Sequence, residues 1–159
     1  MRPVPVEAIA WETWSEGERY GGRVRRLAPR GANVGVHIEE LPPGRQSCPF
    51  HYHLHEEEHL LALSGEALLR LGGEVLRIRA GDYVCFPAGE PQGHCLVNDG
   101  TAPFQFLMIG ENKPHDVCLY PDSSKINVRL ARLNFRVADA RDYYDGERSG
   151  ESPLPLKET

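Results

Sequence analysis

From Arg23 onward, short runs rich in Val, Ile and Leu recur at a spacing of roughly 8 to 12 residues, separated by Gly, Pro and Asn turns, which predicts a sandwich or barrel. Strands are expected at 23–28, 33–41, 49–54, 58–64, 66–71, 74–79, 83–86, 93–97, 103–109 and 128–135. In the stretch NVGVHIEEL, residues 33–41, Val34, Val36 and Ile38 share one face at period two, while Gly35, His37 and Glu39 share the other. The turns fit hairpins better than helical crossovers: Leu-Gly-Gly-Glu at 71–74, Ala-Gly-Asp at 80–82 and Ala-Gly-Glu at 88–90. Residues 1–22, with Pro3, Pro5, Trp11 and Trp14, read as an extended arm that packs through its tryptophans. The barrel is expected over 23–136, and 137–159 as a C-terminal extension that is mobile from about Asp145, where apolar positions run out.

Composition agrees with one β-rich domain. The chain has 159 residues and 17.8 kDa, with 40% hydrophobic and 26% charged residues, and its 16 Gly and 13 Pro exceed ordinary usage. A formal net charge of -5 argues against nucleic acid or an anionic membrane as the partner and favours a small molecule or a protein. No apolar run approaches the ~18 to 20 residues of a membrane-spanning helix, and the acids and prolines of the first segment do not suit a signal peptide, so a cytoplasmic location is expected. Cys48, Cys85, Cys95 and Cys118 form no Cys-x-x-Cys pair and read as reduced thiols.

The feature that changes this picture is HYHLHEEEHLLALSG, residues 51–65, which holds four of the seven histidines. On a strand, His51 and His53 project from one face about 6 to 7 Å apart. After a turn, Glu58 shares the inward parity with Leu60 and Ala62, whereas His59 falls on the other face with Leu61 and Leu63. A further imidazole is offered by FPAGEPQGHCLVN, residues 86–98, where His94 shares a face with Leu96 and Cys95 points outward. His51, His53, Glu58 and His94 are therefore the candidate ligands of one divalent transition-metal ion (iron, manganese, nickel or zinc), since a mixed nitrogen and oxygen set does not suit calcium or magnesium. Leu60, Leu96, Gln92 and Glu57 are candidate lining residues, with Glu57 as a substitute for Glu58. His55, Glu56, Glu57 and His59 otherwise read as a solvated turn, and Cys48, Cys85 and Cys95 as small apolar fillers. The outward parity of Tyr52, Leu61, Leu63, Cys95 and Val97 predicts an apolar exterior that a homodimer would cover.

These residues resemble the two motifs of the cupins, small double-stranded β-helix barrels of jelly-roll type. Gly44, His51, His53, Glu58 and Gly65 follow the first motif with one extra residue after Gly44, and Gly81, Pro87, Gly89, His94 and Asn98 follow the second. Four residues rather than two separate Gly89 from His94: counting from Gly89 puts Gln92 at the histidine position, and counting back from Asn98 selects His94. His94 is preferred, because glutamine is a poor transition-metal ligand and a longer turn keeps strand parity. The resemblance implies an all-β barrel and a metal site but no single reaction. Three readings follow: a metal-dependent oxidoreductase of dioxygenase type, favoured among enzymes; a sugar-phosphate isomerase or epimerase, which needs an acid and a base besides the ion; and a non-catalytic barrel that binds a sugar or metabolite. Glu39, Glu66 and Gln105 are the further polar residues that could reach the barrel mouth.

Overall fold

The computed structural model describes residues 2–147, and most of the expected tail beyond Asp145 lies outside them. The strands, in chain order, are β1 (Glu12–Glu16), β2 (Tyr20–Arg26), β3 (Val34–Leu41), β4 (Tyr52–His53), β5 (Glu58–Ser64), β6 (Glu66–Leu71) and β7 (Glu74–Arg79). They continue as β8 (Tyr83–Phe86), β9 (His94–Val97), β10 (Phe104–Glu111), β11 (Val117–Tyr120), β12 (Lys125–Val128) and β13 (Leu133–Arg136). Only single turns of 3-10 helix accompany them, and no described helix is long and apolar enough to cross a membrane.

A six-stranded sheet in the order β1-β2-β3-β10-β5-β8 faces two smaller sheets, β7-β6-β9 and β13-β12-β11-β4. The layers close as the double-stranded β-helix that the motif spacing implies. Alternation sets what each strand buries. On β5, Leu60 and Ala62 are buried while Leu61 and Leu63 are exposed, and on β10 Phe104 and Phe106 turn inward. With Leu41, Leu69, Ile78, Phe86 and Leu96 they form one continuous core, each large side chain contributing about 1.5 to 3 kcal/mol of apolar burial. The β5–β6 corner depends on Gly65: its φ is +77°, and a Cβ there would stand 2.7 Å from the Pro103 carbonyl oxygen.

Several segments differ from the strands expected: β4 keeps only Tyr52–His53 of 49–54, and β2 begins at Tyr20, inside the expected arm. Residues 12–16, expected as part of an extended arm, hydrogen-bond to β2 as a regular antiparallel edge strand, with Glu12 opposite Val24 and Glu16 opposite Tyr20. The expected strand at 128–135 is instead a hairpin, β12 turning into β13 through 129–132, where Arg132 adopts a left-handed φ of +54°. β11, unpredicted, supplies the partner of β4 and β12.

Candidate metal centre

Residues 51–53 pass between the two smaller sheets, and that crossing aims their side chains. His51 makes an antiparallel bridge to His94 at the start of β9, the His94 N–H donating to the His51 carbonyl at 2.8 Å. Two residues on, His53 pairs instead with Cys118 of β11. Glu58 opens β5 opposite Gly110 of β10, where a Cβ would stand 3.2 Å from Glu58 Cγ and 3.3 Å from Oε1, so glycine leaves the space the carboxylate occupies. Three close approaches link the four side chains. His51 Nε2 is 3.1 Å from His53 Nε2, His94 Nε2 is 3.1 Å from Glu58 Oε2, and His53 Nε2 is 3.4 Å from the same oxygen.

These separations fit an ion. Donors adjacent on an octahedron with bonds of ~2.1 Å lie ~3 Å apart. The outer nitrogens also fit: the His51 Nδ1–H donates to the Pro49 carbonyl at 2.9 Å, and His53 Nδ1 lies 2.7 Å from Asp116 Oδ2, so each Nε2 is turned toward its neighbours. A carboxylate behind a histidine in this way orients ligand imidazoles in metal sites. Two facing Nε2 atoms with lone pairs repel unless a proton or a cation lies between them. His94 is held by stacking on Phe86, centroids 3.8 Å apart and planes 10° from parallel, and its Nδ1 is buried without a hydrogen-bond partner among the described residues.

The same contacts separate the protonation states. Burial, helped by the neighbouring His94, pushes His51 down to about 4, so it is neutral at ordinary pH. Burial also opposes charge on His53, but hydrogen bonds to Cys118 and Glu58 outweigh it and push His53 up to about 11. Burial of Glu58 is likewise outweighed by His53 and His94, and its carboxyl is held well below the usual range. Glu58 is thus an anion beside a histidine that keeps its proton in the absence of a competing cation.

Behind His53 lies a buried ionic network that sequence reasoning missed. Asp116 receives His53 Nδ1 and the His55 backbone N–H (3.1 Å). Glu56, expected in a solvated turn, is 3% exposed; it pairs with Arg129 through both oxygens, one at 2.7 Å, and accepts the Lys113 N–H at 2.5 Å. Cys118 Sγ lies 3.5 Å from His53 Nδ1, and Tyr120 stacks on His51 at 5.9 Å. Donor atoms of His51, Glu58 and His94 lie within 4.8 Å of one another, as do those of His51, His53 and Cys118.

Of the other candidates, Leu60 and Leu96 line a cavity of about 190 Å³ with His51, Glu58 and His94, and Glu39 enters it from β3. Gln92 is exposed and lines, with Pro87 and Glu90, a cleft whose walls also include His53 and His94. Glu57 turns outward to His59 at 3.0 Å, and His59 in turn meets the Tyr83 hydroxyl at 2.7 Å. Glu66 pairs with Arg79 on the surface, and Gln105 donates to Glu40. Cys95 lies on the outer parity but is buried at 3%, so part of the expected apolar exterior is covered within the chain. Burial pushes the Cys48 thiol far up, which leaves it unreactive.

Comparison with known proteins places this barrel. The cupin domain family matches residues 37–110. The polyketide synthase protein TcmJ of tetracenomycin formation in Streptomyces glaucescens is 32% identical over 100 residues, 60% of this chain and 64% of its own length, so less than two thirds of that relative is spanned. A proposed sugar phosphate isomerase from Acidithiobacillus ferrooxidans superposes with a TM-score of 0.79 at 27% identity, covering 86% of this chain and 90% of the other. A cupin-superfamily sugar phosphate isomerase from Silicibacter pomeroyi does so with a TM-score of 0.76 at 25% identity, covering 91% and 98%. By its matched family model, its motifs and its barrel, the chain carries a cupin domain over residues 37–110.

Proposed function

We propose that this cupin-domain protein is a metal-dependent enzyme in which His51, His53, Glu58 and His94 hold one ion of iron, manganese, nickel or zinc, and in which a small oxygen-bearing substrate is chelated in the barrel. The reading is carried by three separations of 3.1 to 3.4 Å that link His51, His53, Glu58 and His94 through their Nε2 atoms and one carboxylate oxygen, three of the four lining one cavity. An ion bound there supplies Lewis-acid polarisation of a chelated carbonyl or hydroxyl. The chain's own residues orient the ligand imidazoles from behind, through Pro49 and Asp116, and exclude water with Leu60, Phe86 and Phe106. Isomerisation is favoured over the dioxygenase-type chemistry read from the sequence, because two structural relatives with TM-scores of 0.79 and 0.76 carry isomerase descriptions. Elemental analysis of tag-free protein should find about one transition-metal ion per chain, and a chain that takes up none of the four metals would remove the reading.

The proton on His53 makes uptake pH-dependent. Bound imidazoles are neutral, whereas His53 keeps its proton up to about pH 11 in the metal-free protein; lowering the pH therefore favours the metal-free form, and raising it favours uptake. Apparent affinity should rise about tenfold per pH unit between roughly pH 5 and 9. Titrating Zn2+ into weakly buffered protein should release close to one proton per ion, and uptake without release would take His53 out of the ligand set.

The proposal includes a cytoplasmic homodimer formed by packing or exchange of N-terminal strands, which would cover Leu61, Leu63 and Tyr83 on the outer face of β5 and β8. Light scattering at micromolar concentration should give about twice the 17.8 kDa chain mass, and the single-chain mass would refute the dimer.

A further inference from the structure

His37 and Glu39 stand two residues apart on β3, on the parity that Leu41 buries in the core, and both line the cavity that contains His51, Glu58 and His94. His37 Nε2 is 3.0 Å from Glu39 Oε1, with both side chains about a quarter exposed. Glu40, on the opposite parity, is taken by Arg23 at 2.8 Å and by Gln105 at 2.7 Å. Glu39 has no such cation: neither lysine nor arginine lines the cavity, and His37 is its side-chain partner among the described residues. A half-buried carboxylate facing an imidazole, in a cavity whose walls include Leu60, Phe106 and Met108 besides the candidate ligands, is a polar arrangement that packing does not require.

We propose that His37 and Glu39 are the proton-transfer pair of this centre and that the substrate class is an α-hydroxy carbonyl compound; the inference rests on the metal reading above and adds a base to it. With the His37 Nε2–H turned toward Glu39 Oε1, 3.0 Å away, the lone pair resides on Nδ1, and the carboxylate stabilises the imidazolium that forms when Nδ1 takes a proton. The spacing is suitable. Glu58, Gly110 and Gly35 share one rung of the sheet, and Leu60, Met108 and His37 share the rung two residues along, about 6 to 7 Å away. A chelated two-carbon unit and one proton-transfer contact span such a gap.

Nδ1 removes the proton from the hydroxyl-bearing carbon. The C–H electron pair becomes the carbon–carbon double bond of an enediolate, and the carbonyl π pair moves onto its oxygen. The imidazolium returns the proton to the former carbonyl carbon while the hydroxyl proton passes between the two oxygens, so one aldose–ketose isomer becomes the other with no oxidant or reductant consumed.

The test uses bromohydroxyacetone, an α-hydroxy ketone whose bromomethyl carbon is attacked by a nearby nitrogen with loss of bromide. Full-length protein loaded with Mn2+ is treated with the reagent, digested and mapped by mass spectrometry, beside the metal-depleted protein and the variants His37→Gln and Glu39→Gln, with metal content measured in each. His37 should be alkylated at least about fivefold faster with metal than without, Glu39→Gln should slow that labelling about tenfold, and both variants should keep the wild-type metal content. Labelling confined to cysteines, or labelling of His37 indifferent to metal or to Glu39, overturns the pair while leaving the metal reading intact. A protein that takes up no Mn2+ and no other transition metal overturns both.

Discussion

His94→Ala, and separately His51→Ala, should lower metal affinity by a hundredfold or more. Loss of a partner standing behind a ligand already costs about 10- to 100-fold, and loss of the donor itself removes a bond as well. His94 contributes only through Nε2, since its ring is fixed by Phe86 and no group among the described residues engages Nδ1; alanine at this position therefore removes a donor without breaking another hydrogen bond. His59→Ala is the matched control. It deletes an imidazole from the same histidine-rich stretch, but one whose contacts are Glu57 and Tyr83 on the outer face. Metal per chain, measured after equilibration against a fixed free-metal buffer, should fall sharply in the first two variants and stay at the wild-type value in the third. Equal occupancy in all three would show that the ion, if bound, is elsewhere. Gln92→Ala is also expected to keep the wild-type metal content, because Gln92 borders the cleft that His53 and His94 line and glutamine is a poor transition-metal ligand.

Asp116→Asn is expected to affect both affinity and stability. Asp116 is 1% exposed and meets His53 Nδ1, the His55 backbone N–H and, at 3.4 Å, Arg129. An amide of the same size presents one acceptor oxygen and no charge, so His53 and Arg129 compete for it and the buried network loses its balance. Breaking a buried, hydrogen-bonded pair costs about 3 to 5 kcal/mol. At the lower figure, a chain of this length should unfold about 6 to 12 °C earlier. Metal affinity, measured well below that temperature, should fall about 10- to 100-fold because the His53 ring is no longer held in place. A variant that melts early but binds metal as the wild type does would assign Asp116 a purely structural part.

Strands whose inward positions alternate cleanly were legible from sequence: β3, β5, β6, β7 and β8 lie within a residue of their expected bounds. β11 was not. Its four residues, VCLY, sit between Asp116 and a Tyr-Pro pair, too short for a period to emerge. The 128–135 run reads as one strand because nothing in Leu130–Arg132 marks a turn; tertiary pairing with β11 imposes it. The candidate donors could be located because their spacing survives in the chain, whereas Asp116 reaches His53 from 63 residues away and Arg129 reaches Glu56 from 73. Glu56 looked like surface charge because its two neighbours are charged too, and only the position of Arg129 explains its burial.

The crossing of residues 51–53 between two sheets sets when an ion can be captured. Before β9 and β11 have docked, the chain offers His51 and His53 as neighbours on a flexible segment, and closing the loop to His94 still carries its entropic cost. Tight capture by the proposed site would thus follow chain closure rather than guide it, so affinity order alone would not decide which element fills it. Occupancy would then record the free concentrations around the newly finished barrel, and the same polypeptide made under iron-rich or manganese-rich growth should emerge carrying different ions.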